Sequence, residues 1–158
     1  MDVESFETAQ AHAAPRVRQF SVFLEDNVGQ LVRLTRIFDL TDLHIVGLSM
    51  VYSVDCAIVR VVVDDPDQAY DLITEARFPF CETELLAVSL PHGKKGLLAI
   101  WSALLSAEVN IRYAYPLFVR PKGRSCIIVQ TDDLDAAHQA LNRRDFYVLD
   151  QPDLKDCF

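Results

Sequence analysis

The chain has 158 residues, of which 51% are hydrophobic and 24% are charged, and its formal net charge at pH 7 is −8. This length and composition are typical of a globular protein with one or two domains, and they exclude a disordered chain. The negative charge argues against binding to nucleic acid or to an anionic membrane, because approaching phosphate groups costs an acidic protein electrostatic energy.

The N-terminal segment, residues 1–16, contains several alanines and a proline, and we expect it to be a flexible tail. It begins with acidic residues, where a signal peptide needs basic residues followed by an apolar stretch. No apolar run approaches the roughly 18 residues that a membrane span needs. We therefore expect a cytoplasmic protein without a membrane partner. The cysteines and histidines lack a metal-ligand spacing, so we expect no metal site and no cofactor.

The rest of the chain consists of two copies of one pattern. In copy one, Leu31, Leu34 and Phe38 recur at helical spacing. Asp65 followed by Pro66 is typical of a helix N-terminus. In chain order, copy one is predicted to contain a strand at 17–25, a helix at 30–40, strands at 44–54 and 56–63, a helix after Asp65, and a strand at 82–90.

Copy two repeats these elements about 67 residues later. Gly29 and Gly96 each precede a first helix, and Asp65 and Asp133 each precede a second one. Copy two is predicted to contain a helix from Leu97, strands at 109–119 and 125–131, a helix after Asp133, and a strand at 146–149. The strand at 82–90 must end copy one and begin copy two, so almost no linker separates them.

This element order predicts an α+β fold of two tandem ferredoxin-like βαββαβ units, each an antiparallel sheet with both helices on one face. We assign residues 17–84 to the first unit, 85–151 to the second and 152–158 to a C-terminal tail. A unit of this size is marginally stable alone. We therefore expect units to pair, either side by side or back to back through their open sheet faces, within one chain or in a homodimer.

The loop after the first strand resembles the opening of an ACT domain, in which a D-x-P-G-x-L type loop leads into the first helix. Here the loop reads Asp26, Asn27, Val28, Gly29, Gln30 and Leu31, with Val28 where the family often has proline. The segment that starts at Asp65 is similar to the family's second-helix start. As a whole, the chain resembles the stand-alone tandem ACT proteins of bacteria.

The resemblance implies a non-catalytic regulatory protein that binds a small ligand, most often an amino acid, at an interface between units and against this loop. It also implies a homodimer, with a metabolic enzyme or a regulator as a further partner. The chemistry suits the ligand, because free N–H groups at a helix N-terminus bind a carboxylate. Asp26 or Asn27 can accept hydrogen bonds from an α-ammonium group, and Gly29 allows close approach to the backbone.

In copy two a basic loop replaces the acidic one, with the sequence His92, Gly93, Lys94, Lys95, Gly96 and Leu97. Lys94 and Lys95 could hold a carboxylate as point charges, or the loop could be a solvated turn of altered chemistry. We therefore expect copy two to bind a different ligand from copy one, or no ligand.

Four strand residues are further candidates for a ligand site. Tyr113 and Tyr115 alternate along one strand and so share a face, where they line a pocket across an interface or pack against a neighbouring strand. Ser49 and Tyr52 are the equivalent candidates in copy one.

Three other functions compete with a regulatory one. A structural dimerisation module would share the fold and lack any ligand response. A small ferredoxin-like enzyme needs a nucleophile or an acid–base pair, and no such pairing occurs at a recognisable spacing, so we assign no catalytic residue. An RNA-binding module with this element order needs basic and aromatic residues on its third strand, where this chain is aliphatic.

Overall fold

The computed structural model of the protein describes residues 14–158. Its elements are β1 (Val17–Glu25), α1 (Gln30–Asp39), β2 (Ile45–Tyr52), β3 (Cys56–Val63), α2 (Pro66–Glu75), β4 (Phe80–Ser89), α3 (Gly96–Ser106), β5 (Ile111–Pro116), β6 (Cys126–Thr131), α4 (Leu134–Arg143), β7 (Val148–Leu149) and α5 (Gln151–Lys155). The predicted α+β fold of two ferredoxin-like units is confirmed.

The two units share strand β4. The strand order is β2-β3-β1-β4 in the first unit and β7-β4-β6-β5 in the second, and every pairing is antiparallel. Residues Phe80–Leu85 of β4 pair with β1, and residues Leu86–Ser89 pair with β6. A single strand therefore ends one unit and begins the next, as the sequence pattern predicts.

Each sheet packs its two helices on one face, because successive side chains of a strand point to opposite faces. Phe20, Val22 and Leu24 of β1 lie in the first core with residues of α1 and α2, and Leu86 and Val88 of β4 lie in the second core with α3 and α4. The helix-free faces form a third apolar cluster that includes residues of both sheets, among them Val17, Val62, Leu85, Ile128 and Leu149. Of the two predicted pairings, the units within the chain adopt the back-to-back one.

A short polar network joins the two sheets inside this third cluster. Gln19 of β1 is fully buried, and its amide nitrogen donates to the Tyr113 hydroxyl at 2.8 Å. The Tyr115 hydroxyl donates to the amide oxygen of Gln19 at 2.6 Å. Buried polar groups need such partners, so these bonds specify how the sheets face each other.

The expectation of a C-terminal tail at residues 152–158 is wrong, because this segment folds against both units. Asp150 and Asp153 form a capping box at the start of α5, and Leu154 is fully buried in the third cluster. The Gln151 side chain accepts from the Arg18 N–H and donates to the Val63 carbonyl. Burial of one leucine and these hydrogen bonds supply the stabilisation that a free tail lacks.

The predicted N-terminal tail lies outside the described residues except for 14–16. Within that part, the Arg16 guanidinium pairs with the carboxylates of Glu84 and Asp135.

Strand β5 spans only Ile111–Pro116 of the predicted 109–119, although the Leu117 N–H still donates to the Cys126 carbonyl at 3.0 Å. The connection from Leu117 to Ser125 includes a 3₁₀ turn at Pro121–Gly123. Across residues 14–158, no helix combines the length and apolar character required to cross a bilayer.

Candidate functional site

The first helix of each unit begins differently from the second. Asp65 accepts a hydrogen bond from the Gln68 N–H at the start of α2, and Asp133 accepts from the Ala136 N–H at the start of α4. Helices α1 and α3 have no capping side chain and no acidic residue in their first turn. The first N–H groups of a helix have no partner within it. The starts of α1 and α3 therefore retain donors for an anion.

The loop before α1 is open to solvent. Gly29 occupies the N-cap position with φ +88°, a left-handed conformation that favours glycine, and a Cβ there would meet no atom within 4 Å. The Asn27 side chain donates to the Glu25 carboxylate at 3.2 Å, and Val28 is fully exposed. Gln30 and Leu31 form the first turn of α1. This loop presents oxygen acceptors beside an uncapped helix end.

The β2–β3 hairpin brings Tyr52 to the same loop. Hydrogen bonding to the Asp26 carboxylate, together with its negative charge, raises the pKa of the exposed Tyr52 hydroxyl. Asp26 and Tyr52, which were predicted as site candidates from different parts of copy one, are thus neighbours. Ser49 lies further along β2, where it pairs with Arg60 of β3.

Exposed apolar side chains surround the first loop on the α1 side. Val28, Leu31 and Val32 are exposed beside the loop, and Leu40 is exposed at the opposite end of α1. A shallow depression of about 370 Å³ on this surface includes Gly29 but no other residue of the loop. The first loop therefore contributes one residue, Gly29, to this depression.

The loop before α3 lines a cavity of about 480 Å³. The lining residues are Leu90, Pro91, His92, Gly93, Lys94, Gly96, Leu97, Arg120, Gly123, Arg124 and Ser125. Five of the six residues predicted in this loop are among them; the sixth, Lys95, is the N-cap residue of α3. The residues of the β5–β6 connection were not predicted as part of this site, although copy two carries extra residues at its Arg-Pro-Lys-Gly-Arg turn.

The register of β4 and β6 explains why these two segments meet. Ser89 pairs with Cys126, and the Leu90 N–H donates to the Ser125 carbonyl at 2.8 Å. The long connection therefore leaves the sheet beside the basic loop. Glycine is favoured at position 96, because a Cβ there would lie 3.0 Å from the Pro91 carbonyl oxygen, a tight contact.

Tyr113 and Tyr115 lie between the sheets and line neither the cavity at the second loop nor the depression at the first. Their rings stack with centroids 6.4 Å apart, and the Arg60 guanidinium lies 3.9 Å from the centre of the Tyr113 ring. Burial raises the pKa of Tyr115. Both hydroxyls are bonded to Gln19, which places the two tyrosines in the packing between units.

A histidine–carboxylate pair occurs at His44 and Asp64, where Nδ1 lies 2.8 Å from a carboxylate oxygen. The equivalent residues of copy two, Asn110 and Asp132, make the same backbone and side-chain contacts. Because asparagine replaces histidine in copy two, the role that the two pairs share is structural. Each pair joins the residue before β2 or β5 to the residue after β3 or β6.

Among the reactive groups outside these loops, the Cys126 thiol is buried in the third cluster. Burial raises the pKa of the Cys126 thiol to about 11, so it stays protonated at neutral pH. No group of three or more histidine, cysteine or acidic side chains in this range is arranged to hold a metal ion.

Comparison with known proteins places these features in a family. Residues 16–157 match the family model described as "ACT domain pair". Protein BT0572 from Bacteroides thetaiotaomicron is 25% identical with a TM-score of 0.82, over 90% of this chain and 97% of that one. No curated protein gives a significant match.

Two aspartate kinase regulatory subunits share the fold. The ligand-free form from Thermus thermophilus is 11% identical with a TM-score of 0.55, and the subunit from Thermus flavus is 10% identical with a TM-score of 0.51. Each alignment covers 82% of this chain and 92% of the other. The family match spans nearly the whole chain, and the chain belongs to the ACT domain pair family.

Proposed function

We propose that this protein is a non-catalytic regulator that binds an amino acid at its first strand–helix loop, at an interface between ACT units. The Thermus proteins that share its fold are regulatory subunits of aspartate kinase. By analogy, its output is contact with a metabolic enzyme or with another regulator.

The chemistry of the first loop suits a zwitterion. The uncapped start of α1 offers N–H donors to a carboxylate. Asp26 and Asn27 offer oxygen acceptors to an ammonium group on the other side of Gly29. An amino acid carries both charges a few ångströms apart, so one ligand can satisfy both sides of the loop.

The observation that carries the proposal is the exposed apolar rim of this loop, formed by Val28, Leu31 and Val32. Apolar side chains gathered beside a shallow depression favour contact with another unit. We propose that a second copy of the chain covers this rim and closes the pocket. The ligand would then stabilise the dimer by selecting the state in which both walls are present.

The same rim supports one competing function, a dimerisation module that has no ligand. Such a module would pair through α1 without responding to any amino acid. A ligand screen separates the two functions.

The test is a thermal-shift screen of the full chain against the twenty common amino acids. A ligand at 100 times its dissociation constant adds about 2.7 kcal/mol to the free energy of unfolding. At roughly 2–4 °C per kcal/mol, one or a few amino acids should raise the melting temperature by several degrees.

A matched pair of variants assigns the response to the loop. Asp26→Asn should abolish or greatly reduce the shift, whereas Asp71→Asn, at an exposed position on α2, should leave it unchanged. The amide signal of Gly29 should move on titration with the active amino acid. No shift with any amino acid, or equal shifts in both variants, would overturn the proposal.

A further inference from the structure

The cavity before α3 is lined by basic residues in a chain whose formal net charge is −8. Lys94, Arg120 and Arg124 line it, and no acidic residue does. Arg16 and Arg18, by contrast, pair with carboxylates. Within residues 14–158, none of the three cavity cations forms an ion pair. Three basic residues thus line one concave site that contains no carboxylate residue.

The cavity comes from two separate segments, which makes it more than a helix end. Lys94 comes from the loop before α3, and Arg120 and Arg124 come from the β5–β6 connection. The first unit has no such wall, because its β2–β3 turn spans only Ser53–Asp55. The volume of about 480 Å³ lies in the range of small-molecule sites.

The charge distribution selects the ligand class. An amino acid needs an acceptor for its ammonium group, and this cavity offers no carboxylate. A phosphate ester carries roughly −1.5 to −2 charge at pH 7 and three strong acceptor oxygens. Two guanidinium groups can bind such oxygens in a bidentate manner, and a lysine adds a point charge. The uncapped N–H groups at Gly96 and Leu97 supply further donors.

We propose that the cavity between the α3 loop and the β5–β6 connection binds a small phosphorylated metabolite. The site is separate from the first loop, and the proposal stands independently of amino-acid binding there. The protein would then sense two chemically different ligands, a zwitterion at the first unit and a phosphate ester at the second.

The glycines allow each site to be observed separately. The chain has five glycines, of which Gly93, Gly96 and Gly123 line the cavity. The full chain is titrated with inorganic phosphate and with pyrophosphate at constant ionic strength, and glycine amide signals are followed by NMR. The three cavity glycines should move and saturate, whereas Gly29 and Gly47 should stay in place.

A double variant and its matched control test the cations. Replacing both cavity arginines, Arg120→Gln with Arg124→Gln, should weaken pyrophosphate binding at least about tenfold, since each charge-assisted hydrogen bond contributes substantially. The control changes the exposed Arg143→Gln and Arg144→Gln near the end of α4 and removes the same net charge. It should leave the dissociation constant unchanged.

Three results would overturn the proposal. They are no saturable movement of the cavity glycines, equal dissociation constants for the cavity variant and its control, and binding of succinate at least as tight as that of phosphate and pyrophosphate. Movement of Gly93, Gly96 and Gly123 with pyrophosphate, but of no glycine with any amino acid, would support this site and overturn the proposed amino-acid function alone.

Discussion

The loops before α1 and α3 occupy the same place in the repeat, yet they differ in charge and in enclosure. The first offers Asp26 and Asn27 beside an open glycine turn. The second offers Lys94 beside a cavity walled by Arg120 and Arg124. The frame around them is the same in both units, with an uncapped first helix and an aspartate-capped second helix.

The difference shows where a duplicated fold can diverge. At one end of each sheet, the loop before the first helix lies next to the connection between the following two strands, because the register places Glu25 opposite Cys56 and Ser89 opposite Cys126. A change in either segment alters one site. Loops tolerate insertions that the core does not, so the two units retain one scaffold while presenting opposite charges.

The prediction with the largest expected effect tests whether the two units unfold as one cooperative structure. Phe20→Ala empties a fully buried position in the core of the first unit and should cost about 3–5 kcal/mol. Trp101, the single tryptophan, lies on α3 of the second unit and reports its unfolding. Because the sheets share β4 and pack back to back, tryptophan fluorescence and circular dichroism should show the same lowered urea midpoint.

The surface variant Leu105→Ala is the control and should change the free energy of unfolding by less than about 0.5 kcal/mol. If Phe20→Ala leaves the urea midpoint of the tryptophan fluorescence transition unchanged, the two units unfold independently.

A prediction with a smaller expected effect tests whether the ends of α2 and α4 are equivalent in the two units. Arg77 follows α2 and Asp145 follows α4 at the same repeat position, with φ of 60° and 61°. A side chain in this left-handed region is strained, whereas glycine is not. Arg77→Gly and Asp145→Gly should therefore each stabilise the protein by about 0.5–1 kcal/mol, as measured by urea denaturation. Because aspartate adopts this region more readily than arginine, the gain should be larger for Arg77→Gly, and a loss of stability in either variant would contradict the prediction.

The prediction with the smallest expected effect concerns the contact between Asp26 and Tyr52 at the first loop. Because Asp26 raises the pKa of Tyr52 above its ordinary value of 10.0, the ionisation of Tyr52 should be displaced to higher pH in the folded protein. Its contribution to stability is fully present below that ordinary pKa and is lost as the pH rises through the folded value. The difference in tyrosinate absorbance between the natural chain and Tyr52→Phe isolates this titration.

Asp26→Asn should return the Tyr52 pKa toward its ordinary value. An unchanged titration in that variant would show that Asp26 and Tyr52 do not interact in solution.

Much of the fold could be predicted because local patterns recur at repeat spacing. Asp65 with Pro66 and its counterpart Asp133 mark helix starts, and both act as caps through their own side chains. The C-terminal segment could not be predicted in this way. Its helix depends on burial of Leu154 between residues that are distant in sequence, and no local pattern reports such a contact.

The same distinction between local patterns and distant contacts applies to the candidate sites. Residues of one loop, such as Gly93 and Lys94, are adjacent in sequence and could be named together. The pairing of that loop with Arg120 and Arg124 could not, because it depends on the β4–β6 register. Similarly, Tyr113 and Tyr115 were predicted to share a face, but only the opposing sheet supplies Gln19 as their partner.

By itself, the sequence determined the duplication, the element order, the helix starts and the opposite charges of the two loops, because these depend on residue type and spacing along the chain. The tertiary structure decided that the sheets pack back to back, that the C-terminal residues form a helix and that the second loop has a cavity wall. These features require segments far apart in the chain to exclude water together, and that free energy exists only once the sheets have folded.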